Sequence, residues 1–243
     1  MVRRALYRVA AYGAAALALA ACSTNSQRAD TNVPVIHNTL TEPEQRAGWK
    51  LLFDGRTTSG WHTYGQSGVV GWEAKDGELV RTSEGGDLIS DAQFDSFELT
   101  LEWKVLPKGN SGIFYWAHEA TKVIYENAPE MQILDNAGHR DGLSPLTSAG
   151  ALYGLYPAPQ DAVKPAGEWN RARIITKGSK VEHYLNGVLT GKGDFDSDEL
   201  KATIAASKFN QWPTYGKSRR GHIGLQDHGD LVWFRNIYIR VLR

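Results

Sequence analysis

Between Phe97 and Val105 the chain alternates without a fault. Phe97, Leu99, Leu101, Trp103 and Val105 are apolar, and Glu98, Thr100, Glu102 and Lys104 are polar. A strict period of two over this length describes a strand with one face in a core and the other solvated, and it does not fit a helix. Shorter segments of the same kind fill the chain from Trp49 onward, separated by glycine turns. Asp76-Gly77 and Asn186-Gly187 each stand between two such segments. Both pairs tolerate the positive φ that a two-residue hairpin demands. About a dozen short strands follow, which predicts an all-β fold built as a sandwich of two antiparallel sheets. Helical patterning is confined to two places. Thr41 can cap one or two turns, with Glu44 at the capping-box position and Gly48 as the stop. A longer helix is predicted over 196–207, with Asp196 as cap, Glu199 three residues on, and Leu200 and Ile204 at helical spacing.

The N-terminal segment belongs to a different class. Arg3, Arg4 and Arg8 precede an alanine-rich apolar run that ends Leu19-Ala20-Ala21-Cys22. The run is too short for a permanent membrane span, and the pattern is that of a secretory signal. Its ending resembles the bacterial lipobox. That resemblance implies a signal peptide over 1–21 and lipid on Cys22. Ser23 leaves no aspartate retention signal, so an outer-membrane lipoprotein facing the periplasm is expected. Residues 22–40 are polar and aperiodic and read as a flexible tether. The folded domain is expected over 41–243. Cys22 is the single cysteine, so no disulfide can form within the chain and the core must hold the fold.

A formal net charge of zero with scattered Lys and Arg argues against a nucleic-acid partner. Neither a glycine-rich phosphate loop nor a Gly-x-Ser-x-Gly elbow is present. The chemistry-bearing residues instead gather on two strands. In the first, Met131 and Ile133 point one way while Glu130 and Gln132 point the other; Asp135, Asn136 and His139 follow where the strand meets a loop. In the second, Ile223 and Leu225 share one face and His222, Gln226 and His228 the other, with Asp227 beside His228. Acid, amide and imidazole groups on rigid strands suit a hydroxyl-rich ligand. The plainer reading is two half-buried strands with solvated polar faces, and a hydrogen-bonded structural role is favoured for His222. His183 shares the phase of Val181 and Leu185 and is read as buried. Asn110, ending the turn 107–110, and Ser111, opening the strand after it, fit hydrogen bonding or turn formation better than nucleophilic catalysis. No close metal-ligand motif occurs, although a divalent metal assembled across strands from Glu130, Asp135, His139, Asp227 and His228 stays open. The Gly- and Tyr-rich stretch from 139 to about 164, which carries Tyr153, is long enough to be functional. An aromatic loop with Phe209, Trp212 and Tyr215 follows the second helix.

Taken in order, Leu52-Phe53-Asp54-Gly55, Gly109-Asn110-Ser111-Gly112-Ile113, Glu130-Met131-Gln132-Ile133-Leu134-Asp135-Asn136, Gly150-Ala151-Leu152-Tyr153, Glu168-Trp169-Asn170 and Gly221-His222-Ile223-Gly224-Leu225-Gln226-Asp227-His228-Gly229 resemble the 3-keto-disaccharide hydrolase family. The resemblance runs from about Gly48 to the C-terminus. It implies a concanavalin A-like jelly-roll sandwich and a small carbohydrate substrate. It also implies a reaction in which a 3-keto-glycoside loses its acidified C2 proton, expels the C1 oxygen and is rehydrated. That chemistry needs a base, an acid and a stabiliser for the enolate. On this reading Glu130 is the base and His228 the acid or enolate stabiliser, with Tyr153 as an alternative acid. Asn110, Gln132, Asp135, His139, Gln226 and Asp227 are expected around the sugar. A carbohydrate-binding lipoprotein without activity and an envelope scaffold are the competing readings.

Overall fold

The computed structural model describes residues 36–243. The predicted signal, Cys22 and most of the tether lie outside the described residues. In chain order the strands are β1 (Trp49–Leu51), β2 (Trp61–Thr63), β3 (Trp72–Lys75), β4 (Glu78–Arg81), β5 (Leu88–Phe94), β6 (Phe97–Val105), β7 (Asn110–Ala117), β8 (Glu130–Leu134), β9 (Asn170–Lys177), β10 (Lys180–Leu185), β11 (Val188–Asp194), β12 (Gly221–Leu225) and β13 (Val232–Val241). They pair into two antiparallel sheets. The larger runs β11-β10-β9-β6-β13-β4-β3, with β1 also on β13; the smaller runs β2-β5-β12-β7-β8. The two NG/DG-type hairpins form as expected: Asp76 and Gly77 join β3 to β4 at φ 53° and 80°, and Asn186 and Gly187 join β10 to β11 at φ 50° and 89°.

The sheets meet over one apolar core. Leu99, Leu101 and Trp103 of β6 pack in a cluster with Ile113 and Tyr115 of β7, Met131 and Ile133 of β8, and Ile223 and Leu225 of β12. Alternation then turns Asn110, Gly112, Glu130 and Gln132 away from the core, onto the outer face of the smaller sheet. This is how the sheet positions the site.

Two expectations need correction. The polar face of β6 is not freely solvated. β6 is central, and arginines on β9 and β13 lie across it: Glu98 bonds Arg173 at 2.6 Å and also Arg240, and Glu102 bonds Arg235 at 2.7 Å. Glu98 and Thr100 are buried as a result. The second helix, α2 (Asp198–Ala206), starts two residues later than its predicted start. Ser197 is the cap, accepting from the Leu200 amide, while Asp196 pairs with Arg219 at 2.8 Å. Ahead of the first helix, the backbone amides of Asn38 and Asn236 each donate to the other residue's side-chain oxygen at 2.8 Å, which pins residue 38 to β13. The first helix, α1 (Glu42–Arg46), is as predicted, with the Thr41–Glu44 capping box formed.

Candidate functional site

Glu130 and His228 come from strands distant in sequence and line one cavity of about 340 Å³, together with Asn110, Tyr125, Gln132, Tyr153, Lys208, Phe209, Trp212 and Gln226. The floor is the outer face of β7, β8 and the end of β12. In the β7–β8 register Gly112 faces Gln132, and Phe114 faces Glu130. The Glu130 side chain lies back over Gly112, where a Cβ would collide with its carboxyl group. A larger residue there would have to displace that carboxyl group.

The polar face of β8 is not solvated either; every residue of the strand is buried. The 139–164 connection folds along the free edge of β8. Gly150 donates to the Gln132 carbonyl at 2.8 Å, Gln132 to Ala151 at 3.2 Å, and Tyr153 to Glu130 at 3.1 Å. The connection therefore extends the sheet and supplies Tyr153 as a wall. The other wall is the turn Lys208–Gln211 with Trp212, and the Tyr125 ring lies 5.4 Å from that of Trp212.

Burial gives the acid its character. No donor among the described residues reaches the Glu130 carboxyl group, and desolvation pushes its pKa up to about 8 against the opposing pull of Lys208. A carboxylate poised there is a competent proton acceptor near neutral pH. Burial likewise raises the Tyr153 hydroxyl to about 12, with the Glu130 charge adding to the effect. The side-chain oxygens of Asn110 and Gln226 are buried without partners, which leaves two acceptors for ligand hydroxyls. Asn110 Nδ2 lies 3.3 Å from His228 Nε2, and His228 itself is exposed at the rim. Gln132 is partly committed: its Nε2 donates to the Thr147 carbonyl at 3.2 Å.

Not every predicted residue reaches the cavity. Asp135 accepts from the amides of Lys108 (2.8 Å) and Ala137 (3.2 Å), so it organises two turns. Asp227 pairs with Arg81 at 2.8 Å and accepts from the amides of Gly85 and Gly86, so it anchors the segment that carries Gln226 and His228. His139 accepts from the Asp141 amide and touches the site only through its ring, 6.5 Å from that of His228. With these groups committed elsewhere, the cross-strand metal set does not assemble, and no group of three His, Cys, Asp or Glu among the described residues could hold a metal ion. His222 bonds Gln93 and the Ser90 carbonyl in a structural role, and Gly224 is small because Phe114 and Ile124 pack over it. Sequence reasoning missed Lys208 and Tyr125. Phe209 and Trp212 stood out as an aromatic loop, but nothing in their spacing said that it meets β8.

An all-β sandwich with a buried acid, amides and aromatic walls around one hollow of about 340 Å³ has the make-up of a small-ligand site. Comparison with known proteins makes it specific. Residues 48–240 match the model of the 3-keto-alpha-glucoside-1,2-lyase-like domain. A 3-keto-disaccharide hydrolase of Bacteroides thetaiotaomicron is 37% identical over 84% of this chain and 82% of its own. The chain belongs to this family. A solved protein of Parabacteroides distasonis superposes with a TM-score of 0.81 at 32% identity, covering 86% of this chain and 100% of that one. A Bacillus subtilis protein with a galectin-like fold, at 14% identity and a TM-score of 0.51 over 86% of this chain and 97% of that one, shares the jelly-roll architecture.

Proposed function

We propose that this protein cleaves 3-keto-glycosides by elimination across C1 and C2, giving a 3-keto-2-hydroxyglucal that is then hydrated. The observation that carries the reading is a buried carboxyl group, unbonded and with a raised pKa, facing a polar cavity lined by unpaired amide oxygens. The family relative that acts on 3-keto-disaccharides supports the substrate class. In this mechanism Glu130 takes the C2 proton, whose acidity comes from the neighbouring ketone. The electron pair moves toward O3 as the enolate, and its collapse expels the C1 oxygen. His228 at the rim protonates that leaving oxygen, with Tyr153 the other group in reach of the cavity. Asn110, Gln132 and Gln226 hold the sugar hydroxyls. Water adding to the glucal completes a net hydrolysis. A flanking carboxylate pair of the ordinary glycosidase kind is not needed.

The test is to incubate the purified protein with a panel of 3-keto-disaccharides in deuterated water. Glucal formation and deuterium at C2 are expected. Cleavage that leaves C2 unexchanged and forms no glucal would overturn the elimination.

The setting we infer is the bacterial cell envelope, with the chain held by lipid on Cys22 and working on small sugars. The Leu19-Ala20-Ala21-Cys22 ending supports this. Labelled palmitate should enter the wild-type chain and be lost in Cys22→Ala.

A further inference from the structure

Among the described residues, the Lys208 ammonium group is the single Lys or Arg cation in the wall of the cavity, and Glu130 is the single carboxylate. Lys208 closes no ion pair among the described residues. Its Nζ lies instead 4.3 Å over the Tyr153 ring and 5.3 Å over that of Phe209. The backbone beneath it is held firmly. Ser207 donates to the Ile204 carbonyl (2.8 Å) and accepts from the Phe209 amide (3.1 Å), so it ends α2 and starts the next turn with one hydroxyl. Asn210 reaches back to the Ala205 carbonyl at 3.1 Å. Phe209 is buried and stacks on Tyr215 with centroids 4.0 Å apart. A lysine on a loosely held segment would be a poor catalytic group, but this one, though exposed, stands on a hydrogen-bonded turn and is guided by two aromatic faces.

We infer that Lys208 is a catalytic residue that stabilises the enolate oxygen during the elimination; this rests on the reaction proposed above. Charge accounting decides between this role and the recognition of an acidic substrate. With Glu130 ionised, the pair Glu130 and Lys208 sums to zero, and an anionic ligand would meet the carboxylate as well as the ammonium. A neutral keto-sugar meets no such penalty. When the C2–H bond breaks, the proton goes to the Glu130 carboxylate and neutralises it. The C–H electron pair forms the C2=C3 double bond, and the carbonyl π pair settles on O3. One negative charge thus moves from Glu130 to O3 while the ammonium stays in place and donates to the new oxyanion. The cation gains its partner in the transition state, which is the condition for catalysis rather than mere binding.

The experiment compares Lys208→Met and Lys208→Arg with wild type on a 3-keto-glucoside, following glucal formation, C2 exchange and the separate changes in kcat and KM. Lys208 is exposed, and melting curves establish that the variants are folded. Lys208→Met is expected to lose about 100-fold or more in kcat, as when a single oxyanion donor is removed. Exchange at C2 should slow in parallel, KM should move by no more than about threefold, and Lys208→Arg should restore part of kcat. A Lys208→Met protein with wild-type kcat, or with its whole defect in KM, would overturn the assignment while wild-type glucal formation leaves the underlying reaction standing. Absence of glucal with wild type would overturn the reaction itself, and this role with it.

Discussion

Gly112 on β7 leaves the space into which the carboxyl group of Glu130 on β8 folds; a methyl group at residue 112 would overlap that carboxyl group. The two residues are neighbours only because Gly112 faces Gln132 across the sheet, two pairs along from Glu130 and on the same face. Gly112→Ala should therefore act on the proposed base more than on the fold. We expect the chain to remain folded and kcat/KM to drop at least about tenfold, the usual consequence of moving a catalytic group. Steady-state kinetics with a melting curve check this; an active Gly112→Ala protein would mean that Glu130 can work from another position.

The pH dependence follows from Glu130. As the proposed base it must be ionised, so kcat/KM should climb with pH and level off above about 8. Glu130→Gln should lose about 100-fold or more at the plateau. Stability runs in the opposite sense. The folded pKa lies above the unfolded 4.5, so between 4.5 and about 8 the folded chain keeps a proton that the unfolded chain has released. The stabilisation is full at the acid end of that window and fades as pH rises through it. Thermal melts of Glu130→Gln should show a flatter response over this range and a higher Tm than wild type above it.

His228 stands 3.3 Å from Asn110 at the rim, and the mechanism proposed above gives it the proton for the leaving oxygen. His228→Ala should lower turnover by about 100-fold for sugars with poor leaving groups and far less for a nitrophenyl 3-keto-glucoside, whose leaving group needs no proton. Equal losses on both substrates would remove His228 from the acid role.

Arg81 and Asp227 are nearly buried, with side chains 11% and 5% exposed, and their ion pair fastens the segment bearing Gln226 and His228. Removing one partner strands the other charge. Arg81→Met should cost roughly 3 kcal/mol in denaturant unfolding. It should also raise KM through the displaced amide. If KM were unchanged, the anchor would serve the fold alone.

His183 is fully buried and shares a 3.0 Å hydrogen bond with the Tyr115 hydroxyl; burial lowers its pKa to about 4. The unfolded chain takes up a proton that the folded one refuses, so its contribution is lost as pH falls from 6.5 toward 4. This slope opposes that of Glu130, and comparison of single variants with wild type separates them. His183→Ala should cost about 3 kcal/mol at neutral pH through the cavity and the orphaned hydroxyl.

Much of this protein was legible in its sequence. Period-two alternation has no other regular solution, so β6, β8 and β12 and the division of their residues between core and outer face could be read directly. The Asp76-Gly77 and Asn186-Gly187 hairpins and the Thr41–Glu44 box were readable for the same reason: they depend on residues adjacent along the chain. Tertiary structure decided everything that depends on which segment lies over which face. It covered the polar side of β8, turning Glu130 from a surface carboxylate into a buried one. It drew Asp135 and Asp227 into turns and an ion pair, and it carried Lys208 and Trp212 across from the end of α2. Such meetings arise from long-range packing, and local periodicity holds no record of them.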